Sequence, residues 1–229
     1  MKLIEFENAS ALDTALVIKV TELLIGTINK RGSASLVVSG GRTPLAFFHL
    51  LSQQVLDWSK VVVTLADERW VDAHHSDSNE KLVRENLLIN EAHAAEFIPL
   101  KNAAIDAAEG ESQTESDIEL MGQFTIVILG VGDDGHTASL FPGAKTLALG
   151  LDMNSGRTAI AVTPTAAPHQ RMTLTLPRLL NSQQIIIHIS GASKQDVLKA
   201  AQAGEDITEL PIRAILNQQV APLLIFWAK

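Results

Sequence analysis

Short runs of apolar, mostly β-branched residues alternate along this chain with longer stretches of helical periodicity. The runs predict buried strands over residues 35–38, 61–65, 124–129, 185–189 and 223–227. Strands without polar interruption are typical of a parallel sheet that is covered on both faces. The pattern therefore predicts an α/β fold, a doubly wound and mainly parallel sheet with helices on both faces.

The stretches between these strands predict the helices. Periodic apolar positions and cap residues indicate helices over residues 9–30, 43–51, 77–89 and 193–203. A further helix start is expected at Thr137. Residues 101–123 are acidic and rich in Ala, Ser and Glu, and they predict a helix only over 117–121. We expect one domain over residues 1–229, with a small β-rich elaboration around 157–176.

Composition narrows the class of protein. Of 229 residues, 46% are hydrophobic and 19% charged, which is ordinary for a globular enzyme. Cysteine is absent, so disulfides and thiolate chemistry are excluded. The N-terminus lacks the pattern of a secretory signal, and no apolar run approaches the roughly 20 residues of a membrane span. We expect a cytoplasmic protein without a membrane partner.

The net charge of −8 argues against a nucleic-acid partner, because such binding needs a basic surface. A small anionic substrate is still compatible with that charge if basic groups or helix N-termini cluster locally. The informative positions are therefore the polar residues at strand ends, where open α/β sheets bind their ligands.

The turn at 130–143 follows the strand at 124–129 and reads GVGDDGHTASLFPG. His136, with Asp133 and Asp134 close by, is a candidate general base in a glycine-rich turn. The alternative is a tight turn in which Asp134 caps a helix and His136 is a surface residue.

Three other strand ends carry candidate binding groups. Gly40, Gly41, Arg42 and Thr43 precede a helix, where free amides and the helix dipole form a phosphate cradle, although Arg42 is equally compatible with a solvated loop. This segment is neither a Walker A loop nor a dinucleotide fingerprint.

Asp67 and Arg69 follow the strand at 61–65 and alternate onto one side, so that Arg69 is a candidate oxyanion donor. The alternative is a solvated ion cluster. Lys194 lies in a first helical turn, where an anion would compensate its charge, although plain solvation is an equal alternative. Arg171 is a weaker candidate, and Asn79 and Arg84 are weaker still.

One group of histidines and carboxylates raises the question of a metal. His74 and His75 lie near Asp72 and Asp77, but neighbouring histidines point apart and no second ligand motif accompanies them. We interpret the group as a polar loop and expect no metal. His188 lies within an apolar strand and is interpreted as a core histidine.

Taken together, these motifs resemble the 6-phosphogluconolactonase family over nearly the whole chain. The matching segments are SGGRTP at 39–44, DERWV at 67–71, SN at 78–79, RENLL at 84–88, the turn at 130–143, RMTLTLP at 171–177 and GASK at 191–194. The resemblance implies a fold related to glucosamine-6-phosphate deaminase and ribose-5-phosphate isomerase. It also implies hydrolysis of 6-phospho-D-glucono-1,5-lactone in the pentose phosphate pathway, without cofactor or metal, by a monomer or small homo-oligomer.

The resemblance also implies roles for single residues. His136 would activate water with Asp134 or Asp133 orienting its ring, and Arg69 would stabilise the oxyanion. The substrate-binding candidates are Gly40, Gly41, Arg42, Thr43, Asp67, Arg171 and Lys194. The related deaminases continue the turn into an Asn-Glu pair, whereas this chain reads TASLFP at 137–142, without a carboxylate. A sugar-phosphate isomerase or deaminase, and a non-catalytic sugar-phosphate sensor, stay open as alternatives.

Overall fold

The computed structural model describes residues 1–229 and contains two sheets. The strands are β1 Lys2–Phe6, β2 Ala34–Val38, β3 Val61–Leu65, β4 Asp67–Arg69, β5 Glu96–Phe97, β6 Phe124–Leu129, β7 Ala159–Val162, β8 Arg171–Leu174, β9 Ser182–Ser190 and β10 Leu223–Ala228. Seven of them form a parallel sheet in the order β1-β10-β9-β6-β2-β3-β5. The other three form an antiparallel sheet in the order β4-β8-β7.

Helices connect the parallel strands. They are α1 Ala9–Arg31, α2 Leu45–Ser52, α3 Asn79–Asn86, α4 Ala107–Glu119, α5 Leu147–Leu151, α6 Leu176–Leu180, α7 Ala192–Gln202 and α8 Ile212–Asn217. Every residue of β2 and β6 is buried. Because successive side chains of a strand point to opposite faces, both faces of the sheet centre are covered. The predicted parallel α/β fold is confirmed.

The strand order places a crevice beside β2. The chain runs outward from β2 to β3 and later returns to the other side of β2 with β6. The loops after β2 and β6 therefore leave the sheet in different directions, which opens a ligand crevice at their carboxyl ends. One hydrophobic cluster of 57 buried residues includes strands of both sheets, and one domain over residues 1–229 stays a prediction.

The structure corrects several expected elements. No helix begins at Thr137: residues 137–140 form an isolated bridge, Ala138 has a φ of 49°, and the next helix starts at Leu147. The helix predicted only over 117–121 begins at Ala107, because Asp106 caps it and Thr114 and Ile118 bury one face. The helix expected over 77–89 ends at Asn86, and the helix expected from Thr43 begins at Leu45.

Strand β1 has no counterpart among the predicted elements. Its burial alternates between exposed and half-buried positions, so it lacks the fully apolar run that marks the other strands. It forms the edge of the sheet beside β10. None of the helices is long and apolar enough to cross a membrane.

Candidate active site

A cleft of about 500 Å³ opens at the carboxyl ends of the parallel strands. Except for Asp134, all the predicted site residues line it: Gly40, Gly41, Arg42, Thr43, Asp67, Arg69, His136, Arg171 and Lys194. They come from the loops after β2 and β6, from the first turn of α7 after β9, and from strands β4 and β8 of the small sheet. The fold thus brings together groups that lie far apart in the sequence.

The ring of His136 is held from one side by Asp134. Its Nδ1 lies 2.5 Å from Asp134 Oδ1, and the His136 amide donates to the same oxygen at 3.2 Å. Burial by itself raises the pKa of Asp134, but the charge and hydrogen bonds of His136 outweigh it and hold the pKa below its ordinary value. Asp134 is therefore an ionised acceptor for Nδ1–H, which leaves Nε2 free toward the cleft.

Two neighbours fix this ring in place. A side chain at Gly132 would overlap the His136 ring, so the close approach of the turn requires glycine. Phe141 packs on the other side, with ring centroids 4.3 Å apart and the planes inclined by 38°. The side chain against the histidine is therefore apolar, and Asp134 is the one carboxylate bonded to it.

The second aspartate of the turn has a different partner. Lys194 Nζ lies 2.6 Å from Asp133 Oδ1, with Asp133 largely exposed and Lys194 largely covered. The two adjacent carboxylates are thus divided between the histidine and the lysine. The sequence analysis expects an anion that compensates the charge of Lys194 at the helix N-terminus. Within the protein, Asp133 is that anion.

Arg69 and Arg171 face each other across the small sheet. They are direct partners in the antiparallel register of β4 and β8. Arg69 Nη1 donates to the carbonyl of Asp77 at 2.7 Å, and Arg171 Nη2 to that of Pro168 at 3.1 Å, while Nε of each arginine is buried without a partner.

Neither arginine has a carboxylate within ion-pair distance. Burial lowers the pKa of Arg171, and the charge of Arg69 acts in the same direction against the opposing effect of Asp67. Because like charges directly opposite each other are destabilising, the pair favours an anion between or beside its two guanidinium groups.

Asp67 is buried and bonded to the turn that carries the histidine. Its Oδ2 accepts from Ser139 Oγ at 2.5 Å, and the amide of Ser139 donates to Thr173 Oγ1 at 3.1 Å. Asn79 Nδ2 donates to the Asp67 carbonyl, while its buried Oδ1 has no partner and lies where a Cβ of Gly40 would be. Asn79, only a weak candidate in the sequence, is therefore a member of the cleft wall.

Two helix N-termini open on the cleft and a third is closed. The amides of Gly41, Arg42 and Thr43 before α2 have no acceptor in the protein, and α7 begins at Ala192 after Gly191, which provides no side-chain cap. Free amides of this kind bind anions. At α3, in contrast, the buried carboxylate of Glu68 accepts the amides of Asn79 and Glu80.

Two residues considered in the sequence have other roles. Arg84 pairs with Glu80 and lies over the Phe97 ring, outside the cleft. His188 is buried at the cleft floor with Nε2 at 3.2 Å from Asp13 Oδ1, so its interpretation as a satisfied core histidine is confirmed.

The sequence analysis did not single out Ser139, because a lone serine in a loop carries no signal until its partner Asp67 is known.

Known proteins match this chain over nearly its full length. The family model described as glucosamine-6-phosphate isomerases/6-phosphogluconolactonase matches residues 7–224. A 6-phosphogluconolactonase of Rhizobium meliloti (strain 1021) is 45% identical over 225 residues, which are 97% of each chain. A 6-phosphogluconolactonase of Pseudomonas putida is 39% identical over 99% of this chain and 93% of its own.

Solved structures give the same result for the fold. The crystal structure of a 6-phosphogluconolactonase from Shewanella baltica OS155 superposes with a TM-score of 0.98 at 43% identity, covering 100% of this chain and 98% of its own. A monomeric glucosamine-6-phosphate deaminase has a TM-score of 0.80 at 18% identity, over 98% of this chain and 97% of its own. The deaminase likeness concerns the fold alone.

Proposed function

This chain belongs to the family of glucosamine-6-phosphate isomerases and 6-phosphogluconolactonases, and from that premise we propose that it hydrolyses 6-phospho-D-glucono-1,5-lactone to 6-phosphogluconate. The observation that carries the choice within the family is the surroundings of His136. Its Nδ1 is bonded to Asp134, and Phe141 packs on its ring. A histidine with one fixed proton and a free Nε2 suits the activation of water.

An isomerase or deaminase on this fold needs a second acid–base group to move protons about an open sugar. The two carboxylates that line the cleft, Asp67 and Asp133, are bonded to Ser139 and Lys194. Neither is bonded to His136. Ester hydrolysis needs one base that later returns its proton, and the cleft supplies that base.

The proposed reaction proceeds in two steps. His136 Nε2 takes a proton from water as the water oxygen attacks the lactone carbonyl, and the C=O electrons move onto the oxygen. The tetrahedral intermediate then collapses, the bond from C1 to the ring oxygen breaks, and imidazolium gives its proton to that oxygen. Arg69, with its unpaired Nε, is our candidate donor to the oxyanion.

We assign the phosphate to the part of the cleft formed by the loop after β2 and the start of α7. The free amides of the Gly41–Thr43 segment, the exposed Arg42 and the first turn of α7 with Lys194 all supply positive potential there. Arg171 is the remaining cationic candidate, and Asp67 is a candidate acceptor for sugar hydroxyls. A cytoplasmic location stays a prediction of the sequence.

Loss of the δ-lactone of 6-phosphogluconate tests the proposal, measured against spontaneous hydrolysis. We expect a rate proportional to enzyme concentration that a chelator does not reduce. Glucosamine 6-phosphate, followed by ammonia release, is the matched alternative substrate. Ammonia release without acceleration of lactone loss would replace the lactonase by a deaminase, and binding of sugar phosphates without turnover would indicate a sensor.

A further inference from the structure

A cluster of metal-binding side chains lies beside the cleft, outside the proposed catalytic groups. His75, Asp77 and His169 each offer one ligand atom, and these atoms all lie within 4.8 Å of one another. The sequence placed His75 and Asp77 in one polar loop without a further ligand. The third ligand comes from the segment before β8, 92 residues along the chain from Asp77.

We propose that His75, Asp77 and His169 bind a divalent transition-metal ion, with Zn²⁺ as the preferred ion. Two imidazoles and one carboxylate form a donor set typical of zinc, and water completes the coordination when three protein ligands are present. The site would be additional to the metal-free hydrolysis at His136.

The distances fit such an ion with small movements. His169 Nε2 lies 3.0 Å and His75 Nδ1 4.0 Å from Asp77 Oδ2. Ligand atoms at about 2.0–2.1 Å from a tetrahedral zinc ion are about 3.3 Å apart, which lies between these two values. The two imidazole rings already meet edge to face, with centroids 5.5 Å apart.

The cost of occupying the site is modest. The ion would replace the hydrogen bond between His169 and Asp77, and His75 Nδ1 would exchange the bond it accepts from the Asp77 amide. A single hydrogen bond contributes far less net free energy than a zinc–imidazole site contributes. His169 also has a φ of 68°, a left-handed conformation rare for a non-glycine residue.

The ion would join the two segments that hold the cleft arginines. The carbonyl of Asp77 accepts from Arg69, and the carbonyl of Pro168, next to His169, accepts from Arg171. An ion bound by both segments would fix the spacing of these two carbonyl acceptors. It would therefore act as a clamp on the Arg69 and Arg171 pair.

Binding of Zn²⁺ to the metal-free, untagged protein tests the proposal by calorimetry, with the visible absorption of bound Co²⁺ as a second readout. We expect one ion per chain and a thermal midpoint that rises with ion concentration. His169→Gln and Asp77→Asn should weaken binding at least about tenfold. His74→Gln, at the exposed histidine next to the cluster, should leave it unchanged.

Three results would overturn the proposal. One is absence of binding up to about 1 mM Zn²⁺, and another is equal affinity of wild type and His169→Gln. The third is loss of binding in His74→Gln with retention in Asp77→Asn. Circular dichroism establishes that each variant is folded, and because binding is measured directly, failure of the lactonase assay leaves this test intact.

Discussion

Arg157 on one side of the molecule, and Arg69 and Arg171 at the cleft, have opposite surroundings. Arg157, where α4 meets β7, donates from Nε to Glu115 at 2.9 Å and from Nη2 to Glu111 at 2.6 Å. The hydrogen bond that Arg157 donates to Glu115, and then the one it donates to Glu111, raise its pKa. Arg69 and Arg171 bond to main-chain carbonyls and have no carboxylate partner.

The difference separates a structural ion pair from a binding site. The carboxylates around Arg157 also accept main-chain amides of Thr158 and Ala161, so the network is complete without a ligand. At the cleft, two cations face each other with unpaired Nε atoms and with free helix amides nearby. We infer that an anion completes the second group, whereas the first serves stability. Substitutions in the two regions should therefore change different quantities.

The largest effect is expected at the centre of the cleft. His136→Ala should lower kcat for the phosphorylated lactone by about 100-fold or more, because it removes the proposed general base. The thermal midpoint should change little. Steady-state kinetics and thermal unfolding measure the two effects. His49→Ala, at an exposed histidine of α2, is the control, and normal turnover by the His136 variant would refute the assignment.

Arg69→Met tests the proposed oxyanion donor, one of the two cleft arginines that lack a carboxylate partner. Loss of one such donor typically costs about 3 kcal/mol, so we expect kcat to fall about 100-fold with a smaller change in KM. Arg84→Met is the matched control, because Arg84 is paired outside the cleft. A rise in KM alone would move Arg69 to the substrate-binding groups.

Lys194→Ala separates phosphate binding from chemistry. We expect KM for the phosphorylated lactone to rise about tenfold, since one charge-assisted contact contributes about 1.5 kcal/mol. The unphosphorylated δ-lactone should be hydrolysed as by wild type. Lys199→Ala on the same helix is the control and should leave KM for both lactones unchanged. An equal rise of KM for both lactones in the Lys194 variant would exclude a phosphate contact.

Arg157→Met tests the ion-pair network of Arg157 with Glu111 and Glu115, which needs no ligand. The kinetic constants should stay those of wild type, while unfolding should become easier by about 2 kcal/mol, which corresponds to about 5 °C in thermal midpoint. Lys199→Met removes an exposed ion pair with Asp196 and should have almost no effect. Loss of activity with unchanged stability would reverse the distinction between the two arginine groups.

The smallest effect is expected in how the stability difference between wild type and Arg157→Met changes with pH. Burial raises the pKa of Glu115, but the hydrogen bond from Arg157 and those from the Thr158 and Ala159 amides outweigh it and lower the pKa below 4.5. A lowered folded-state pKa stabilises the protein above the ordinary pKa, and this stability is lost as the pH falls through the lowered value.

The gap in thermal midpoint between wild type and Arg157→Met should therefore be constant above 4.5 and narrow below it. Thermal unfolding at a series of pH values measures the gap. A gap that stays the same down to about pH 3 would show that Glu115 is not the partner that matters.

Much of the fold follows from local sequence patterns. Central strands such as β3 and β6 match their predicted bounds, because uninterrupted apolar runs have few alternatives to a buried strand. The sequence patterns do not predict edge strand β1, and they predict only the C-terminal end of helix α4. Neither element carries a strong periodic signal. The helix expected at Thr137 is absent because residues 137–140 bond to themselves and, through Ser139, to Thr173.

The sequence alone determined the parallel α/β class, the strand ends that carry polar groups and the family resemblance, since each of these depends on residues within short contiguous segments. The tertiary structure decided which groups meet. It divided Asp134 and Asp133 between His136 and Lys194, opposed Arg69 to Arg171 across β4 and β8, and brought His169 to His75 and Asp77. Such pairings depend on register and on loop approach over long separations, which no local pattern specifies.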